Sequence, residues 1–181
     1  MKKNQSSSNV LIYFTPTAMK DANTGRFMFR KIEAAETNAL TEKFGDYLTR
    51  FKCLHFGESA LTVGAFLEGE PVGIISVYMR PLPAPLDDVR ETVIDVLEVD
   101  KAHRRQGIAR ELINRVEQWA KDYRSLQIRT WCSGEKTDMI KTLYALGFCM
   151  CPVKIWVDSR KEEAGGFYAV KQLNSFTRTI L

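Results

Sequence analysis

The sequence predicts an α/β fold, a mixed sheet with helices on both faces. Three observations carry this expectation. Short β-prone apolar runs alternate with helical stretches along the chain. One helix, running from Gly107 to about Tyr123, carries a single apolar stripe of Ile108, Leu112, Ile113, Val116, Trp119, Ala120 and Tyr123. Finally, Glu68-Gly69-Glu70-Pro71 separates two strand-like runs, Thr62–Leu67 and Val72–Arg80, with the chemistry of a hairpin turn.

Taken in order, residues 1–9 are polar and read as disordered. Val10–Phe14 is apolar and isolated, either an extra edge strand or the interface arm of a homodimer. Phe27–Ile32 is the first core strand. From Glu33 to Phe51 apolar residues recur at helical spacing, with Gly45 dividing the stretch in two. After the hairpin, Pro81–Pro85 makes a stiff loop, and a long strand runs from about Glu91 to Val99. Glu111–Arg115 and Glu117–Lys121 are expected as i,i+4 pairs on the wet face of the long helix. Leu126–Cys132 is a strand, Thr137–Leu146 a helix ended by Gly147, and residues 148–157 and 167–173 two strands joined by a polar loop, Asp158–Gly166. The expected organisation is an extension (1–26), one domain (27–173) and a tail (174–181).

The 181 residues, 45% hydrophobic and 27% charged, suit one globular domain. A net charge of +4, spread along the chain, does not argue for nucleic acid. The polar run after Met1-Lys2-Lys3 argues against a signal peptide, and no apolar stretch reaches membrane-spanning length, so the cytoplasm is the default. Cys53, Cys132, Cys149 and Cys151 read as buried thiols, and with His55 and His103 they show no metal-ligand spacing.

Residues 97–110 carry the functional signal. An apolar strand ends in a basic turn that passes through Gly107 directly into the long helix. Amides at a helix N-terminus lack intrahelical partners and lie at the positive end of the helix dipole, so they form an anion site. Gly107 allows close approach to the backbone, Ala109 stays small, and Arg104 and Arg105 add charge at the mouth. Together these suggest a diphosphate cradle. The spacing fits neither a P-loop, which requires Gly-Lys-Ser/Thr, nor the three-glycine dinucleotide fingerprint.

Arg104-x-x-Gly107-x-Ala109, preceded by Leu97-x-Val99 and followed by a helix, resembles the cofactor motif of the GNAT superfamily of acyl-CoA-dependent N-acetyltransferases. Thr137-Asp-Met-Ile140-Lys-Thr-Leu-Tyr144-Ala-Leu-Gly147-Phe148 resembles the same family's Asn-x-x-Ala-x-x-x-Tyr-x-x-x-Gly-Phe helix, offset by one residue at its Gly-Phe end. The resemblance spans about residues 27–173. It implies a GNAT-like fold with a central, mostly antiparallel sheet of six to seven strands. It implies acetyl-CoA (coenzyme A) as cofactor, with Arg104, Arg105, Gln106, Gly107, Ile108 and Ala109 at the diphosphate. Backbone groups of Leu97 and Val99 would meet the pantetheine arm, and Thr137 would cap the helix at the asparagine position. Tyr144 would contact the sulfur and protonate the departing thiolate.

Attack on a thioester needs a neutral amine, hence a base. Asp95 is the first candidate, since two-residue alternation puts it on the face of Leu97 and Val99, where burial would strengthen it as a base. Glu98 is the second, on the opposite face unless a bulge rotates the strand. His103 reads as a solvated loop residue; His55 lies in a segment without periodicity, and facing an acceptor pocket is one reading of it. The expected activity is acetyl transfer to a primary amine of a small molecule or peptide, by direct attack in a ternary complex. The alternative is a non-catalytic acyl-CoA sensor. The acceptor pocket is expected from the first helical segment, the Pro81–Arg90 loop and the Asp158–Gly166 loop.

Overall fold

A computed structural model of the chain describes residues 22–24, 26–157 and 161–174. Val10–Phe14, and with it any edge strand or dimer arm there, lies outside the described residues. Eight strands form one sheet: β1 (Ala22–Thr24), β2 (Phe27–Lys31), β3 (Ala60–Leu67), β4 (Glu70–Pro81), β5 (Arg90–Val99), β6 (Gln127–Ser133), β7 (Cys149–Val157) and β8 (Glu162–Gln172). The spatial order is β1-β2-β3-β4-β5-β6-β8-β7, antiparallel throughout except between β5 and β6. The seven strands expected are present, and the short β1, inside the expected N-terminal extension, is the eighth.

Helices cover both faces. Against one face lie α1 (Thr37–Phe44) and α2 (Tyr47–Arg50), separated at Gly45, where φ is 118°. Leu40 and Leu48 from these helices pack with Ile32, Phe66, Ile74 and Val96. Against the other face lie α3 (Ile108–Asp122) and α4 (Thr137–Ala145). Here Ile108, Leu112, Ile113, Val116 and Leu143 bury against Val63, Ala65, Ile75, Val77, Ile94 and Leu97. Gly73 of β4 lets α3 approach closely, because a Cβ there would stand 2.7 Å from Cγ2 of Ile108. The β3–β4 turn is only Glu68-Gly69, both with positive φ (53° and 90°), the twist-matched two-residue hairpin geometry.

Four expectations need correction. Of the four thiols expected to be buried, Cys149 and Cys151 are exposed, because β7 is an edge strand and both face away from the core. The polar loop at 158–166 is shorter than expected, because β8 begins at Glu162 and includes Gly165-Gly166. Gly166 belongs in the strand because a Cβ there would lie 2.4 Å from the carbonyl oxygen of Cys132, so β6 and β8 pair closely only around a glycine. Glu117 does not pair with Lys121 on a wet face. It is buried and binds Lys171 of β8, while Arg115, paired with Glu111 at 3.0 Å, is buried too. His103 is half-buried rather than solvated, its ring edge-on to Phe27 at 6.3 Å.

Candidate functional site

The parallel pairing of β5 with β6 covers only Thr92↔Ile128 and Val93↔Arg129. Beyond this the strands diverge, and a cleft of ≈ 220 Å³ opens between Ile94–Glu98 on one side and Thr130–Ser133 on the other. Thr130 Oγ1 donates to the Ile94 carbonyl (3.1 Å) at the point of divergence. Below it Glu91, fully buried, is held by Arg80 (2.9 Å), Arg129 (3.0 Å) and Gln127 (2.8 Å), locking the closed end. Met139 and Leu143 of α4 and Tyr47 of α2 complete the wall, so the cleft is a gap through the sheet that opens toward both helical layers.

The free edge of β5 lines this gap. The Asp100 amide donates to the Val72 carbonyl (2.9 Å), which fixes the even-numbered residues above the bulge toward β4. Alternation then turns the peptide groups of Leu97 and Val99 toward the gap, where β6 does not reach them. The Val99 carbonyl accepts from Arg104 Nε (3.1 Å), which ties the basic turn to the strand end. Lys136 reaches across from the β6–α4 connection to Glu98 at 3.7 Å.

At the end of β5 the chain enters α3 through Gly107, at φ 84°, with open space where a Cβ would project. The first intrahelical bond is Glu111 N–H to the Gly107 carbonyl (3.0 Å). The amides of Gly107, Ile108, Ala109 and Arg110 have no acceptor among the described residues. Arg104, Arg105 and Gln106 are exposed around them, whereas Ile108 anchors the helix in the core and Ala109 packs at its margin. A phosphate group fits this cradle on its own geometry: unsatisfied donors, an open glycine and positive charge.

The structure relocates Asp95 and leaves Glu98 on the face opposite Leu97 and Val99, where alternation puts it. Ser76 faces Val96 and Val77 faces Ile94, so Asp95 is an extra residue, a β-bulge in β5. The bulge moves Asp95 off the face of Leu97 and Val99. It joins Glu98 on the α1–α2 face, with its side chain 38% exposed rather than buried. Both carboxylates line the gap. Asp95 Oδ2 lies 2.7 Å from His55 Nε2.

Tyr144 departs from expectation most clearly. It is 73% exposed and does not line the cleft; Leu143, one residue earlier, does. The one-residue offset in the Gly147-Phe148 spacing rotates the tyrosine about 100° around the helix and away from the gap. Thr137 is also corrected. It is the exposed first residue of α4, the cap position is Lys136, and no side chain caps the helix.

Tyr47 was a stripe residue in the sequence, yet it stands in the gap. Its buried hydroxyl lies near the Glu98 carboxylate but makes no well-formed hydrogen bond among the described residues, nor does Trp131 Nε1 on the opposite strand. Burial, reinforced by the Glu98 carboxylate and Cys53, raises the Tyr47 pKa well above that of an ordinary phenol. Burial also raises the Cys132 thiol in the cleft, so it is held as a thiol rather than a nucleophilic thiolate. No helix among the described residues is long and apolar enough to cross a membrane, and no group of three or more His, Cys, Asp or Glu among them could hold a metal ion.

Comparison with known proteins adds three findings. The model of a family described as "Acetyltransferase (GNAT) family" matches residues 26–148. No curated protein matches the sequence. Among solved structures, Arabidopsis thaliana NAA60 in complex with acetyl-CoA is similar at 13% identity and a TM-score of 0.65, covering 82% of this chain and 99% of that one. The ribosomal-protein-S18-alanine N-acetyltransferase of Escherichia coli is similar at 12% identity and a TM-score of 0.66, covering 86% and 99%. The acetyltransferase of GNAT family from Streptococcus pneumoniae is similar at 12% and a TM-score of 0.61, covering 81% and 99%.

Proposed function

The chain belongs to the acetyltransferase (GNAT) family, an acyltransferase with acetyl-CoA as cosubstrate, and on that premise we propose that it acetylates a primary amine of a small molecule or peptide. Transfer proceeds by direct attack in a ternary complex, with no acyl-enzyme. The observation that carries this reading is the continuity of two unsatisfied backbone surfaces. The free edge of β5 at Leu97 and Val99 leads directly into the amides of Gly107–Arg110.

In this reading Arg104, Arg105, Gln106, Gly107, Ile108 and Ala109 hold the diphosphate through main-chain donors and surrounding charge. The peptide groups of Leu97 and Val99 receive the pantetheine arm as an added strand would be received, and an amide there polarises the acyl carbonyl. Bound acetyl-CoA supplies a thioester carbonyl as electrophile. Asp95 and Glu98, on the same strand but on its α1–α2 face, supply the negative charge that receives an incoming ammonium. Tyr144 takes no part in the acid step, because it does not reach the gap.

Calorimetric titration with coenzyme A tests the cradle. A Gly107→Glu variant forces a side chain into the left-handed conformation, at about 1–2 kcal/mol, and brings a carboxylate to the phosphates. Its dissociation constant is expected to rise at least about tenfold, the equivalent of 1.4 kcal/mol. Equal affinity in wild type and variant would remove the cradle. Thiol release with acetyl-CoA and panels of amines then separates an enzyme from a sensor that only binds.

A further inference from the structure

His55 is the residue the proposed chemistry leaves unused, and its surroundings are built. Its amide donates to Ser76 Oγ (2.8 Å), its carbonyl accepts from Thr62 Oγ1 (2.8 Å), and the two hydroxyls meet at 2.8 Å. Thr62 and Ser76 are both fully buried, on β3 and β4. The backbone of a segment without helix or strand is thus pinned to the sheet at two points. The ring lies against Tyr78, centroids 4.5 Å apart, and its Nε2 meets Asp95 Oδ2 at 2.7 Å. The side chain is only 24% exposed.

This places an imidazole beside the single residue that the bulge inserts into β5. Without the extra residue Asp95 would point to the α3 face, out of reach of His55. With Nε2–H donated to the carboxylate, Nδ1 keeps its lone pair, and no described residue occupies it. A carboxylate orienting one ring nitrogen so that the other can accept a proton is the general logic of a histidine base. Cys53 and Tyr78 also face the pair. Burial raises both of their pKa values, which keeps them neutral; Arg80 and Glu91 act on Tyr78 as well, and Asp95 is the charge in contact with the imidazole.

We propose that His55 is the base that deprotonates the acceptor, with Asp95 as its orienting partner and as counter-charge to the incoming ammonium. This rests on the acetyltransferase reading above. Asp95 lines the gap and His55 stands behind it, so the ammonium R–NH3⁺ gives one proton through a water to Nδ1, and the imidazole becomes imidazolium. The amine lone pair forms the C–N bond to the acyl carbon as the C–S bond breaks. The electron pair leaves on sulfur, and a second proton from the nitrogen goes to it, giving the thiol. Imidazolium returns its proton to solvent.

The test is thiol release from acetyl-CoA with benzylamine, from pH 6 to 9, for wild type, His55→Gln and Asp95→Asn. Coenzyme A affinity is measured in parallel by calorimetry. The hydrogen bonds that pin residue 55 are main-chain, so His55→Gln retains them. It is expected to lower kcat/KM by about a hundredfold or more, to lose the fall in rate on acidification, and to bind coenzyme A as wild type does. Asp95→Asn is expected to lower kcat more than it raises KM. A His55→Gln enzyme with wild-type rate and pH profile overturns the proposal. So does a wild type that binds coenzyme A yet acetylates no benzylamine at any pH. Failure of wild type to bind coenzyme A would instead bring down the reading beneath it.

Discussion

Asp95 and Tyr144 show how a shift of one residue changes the chemistry available to each element. In β5 one inserted residue rotates everything beyond it, so Leu97 stays with the α3 layer while Asp95 and Glu98 share the α2 side of the gap. In α4 one missing residue between tyrosine and Gly147 turns the phenol outward. The expected outcome at this position is that Tyr144→Phe leaves kcat/KM within about twofold of wild type in a thiol-release assay, as for other exposed substitutions. A large loss would mean that the helix turns when substrate binds. The turn that enters α3 through Gly107, with its unpaired amides, was legible in the sequence, because the geometry of a helix start depends on local order alone. The bulge was not, since it is defined by register against Ser76 and Val77 on another strand. His55 was only half legible: its type suggested chemistry, but nothing in residues 52–59 placed it against Asp95.

At the level of elements, periodicity identified α3 and the β3–β4 hairpin to within two residues, because each buries a face dictated by its own sequence. Strand β8 was cut short in the sequence reading because paired glycines usually signal a loop. Here Gly166 marks the closest approach of two strands. Replacing Gly166 with Ala drives a methyl group against the Cys132 carbonyl and is expected to cost about 1–3 kcal/mol, read as a lower urea midpoint with unchanged m-value. Gly165→Ala, with open space at the same test point, serves as the control. If the two variants unfold alike, close packing is not what keeps residue 166 a glycine.

Across the whole molecule, titratable groups set a window of stability. Asp100 lies below its ordinary pKa because Lys43 binds its carboxylate and the Ala102 amide donates to it. Glu36 is lowered by Arg30. A depressed carboxylate contributes stability above its unfolded value, and the contribution is lost as pH falls through the folded one. Tyr47 is shifted the other way by burial, so its contribution is complete below the unfolded phenol value and is lost as pH rises. Thermal unfolding is therefore expected to be flat between about pH 5 and 8, falling on the acid side below about 4 and on the alkaline side from about 8.5, where the buried Cys53 and Cys132 thiols begin to ionise in the unfolded chain, and more steeply beyond about 10. Tyr47→Phe should blunt only the alkaline fall. One architectural fact reaches further than any of these groups. Two residue pairs, flanked by the Leu126 amide on the Arg90 carbonyl and Thr130 Oγ1 on the Ile94 carbonyl and clasped by Glu91, seam β5 to β6, so the two halves of the sheet resemble tongs joined at the rivet. Whatever lies between the jaws is held by both halves at once, while α3, packed on β3, β4, β5 and β6, backs the two jaws with one continuous core.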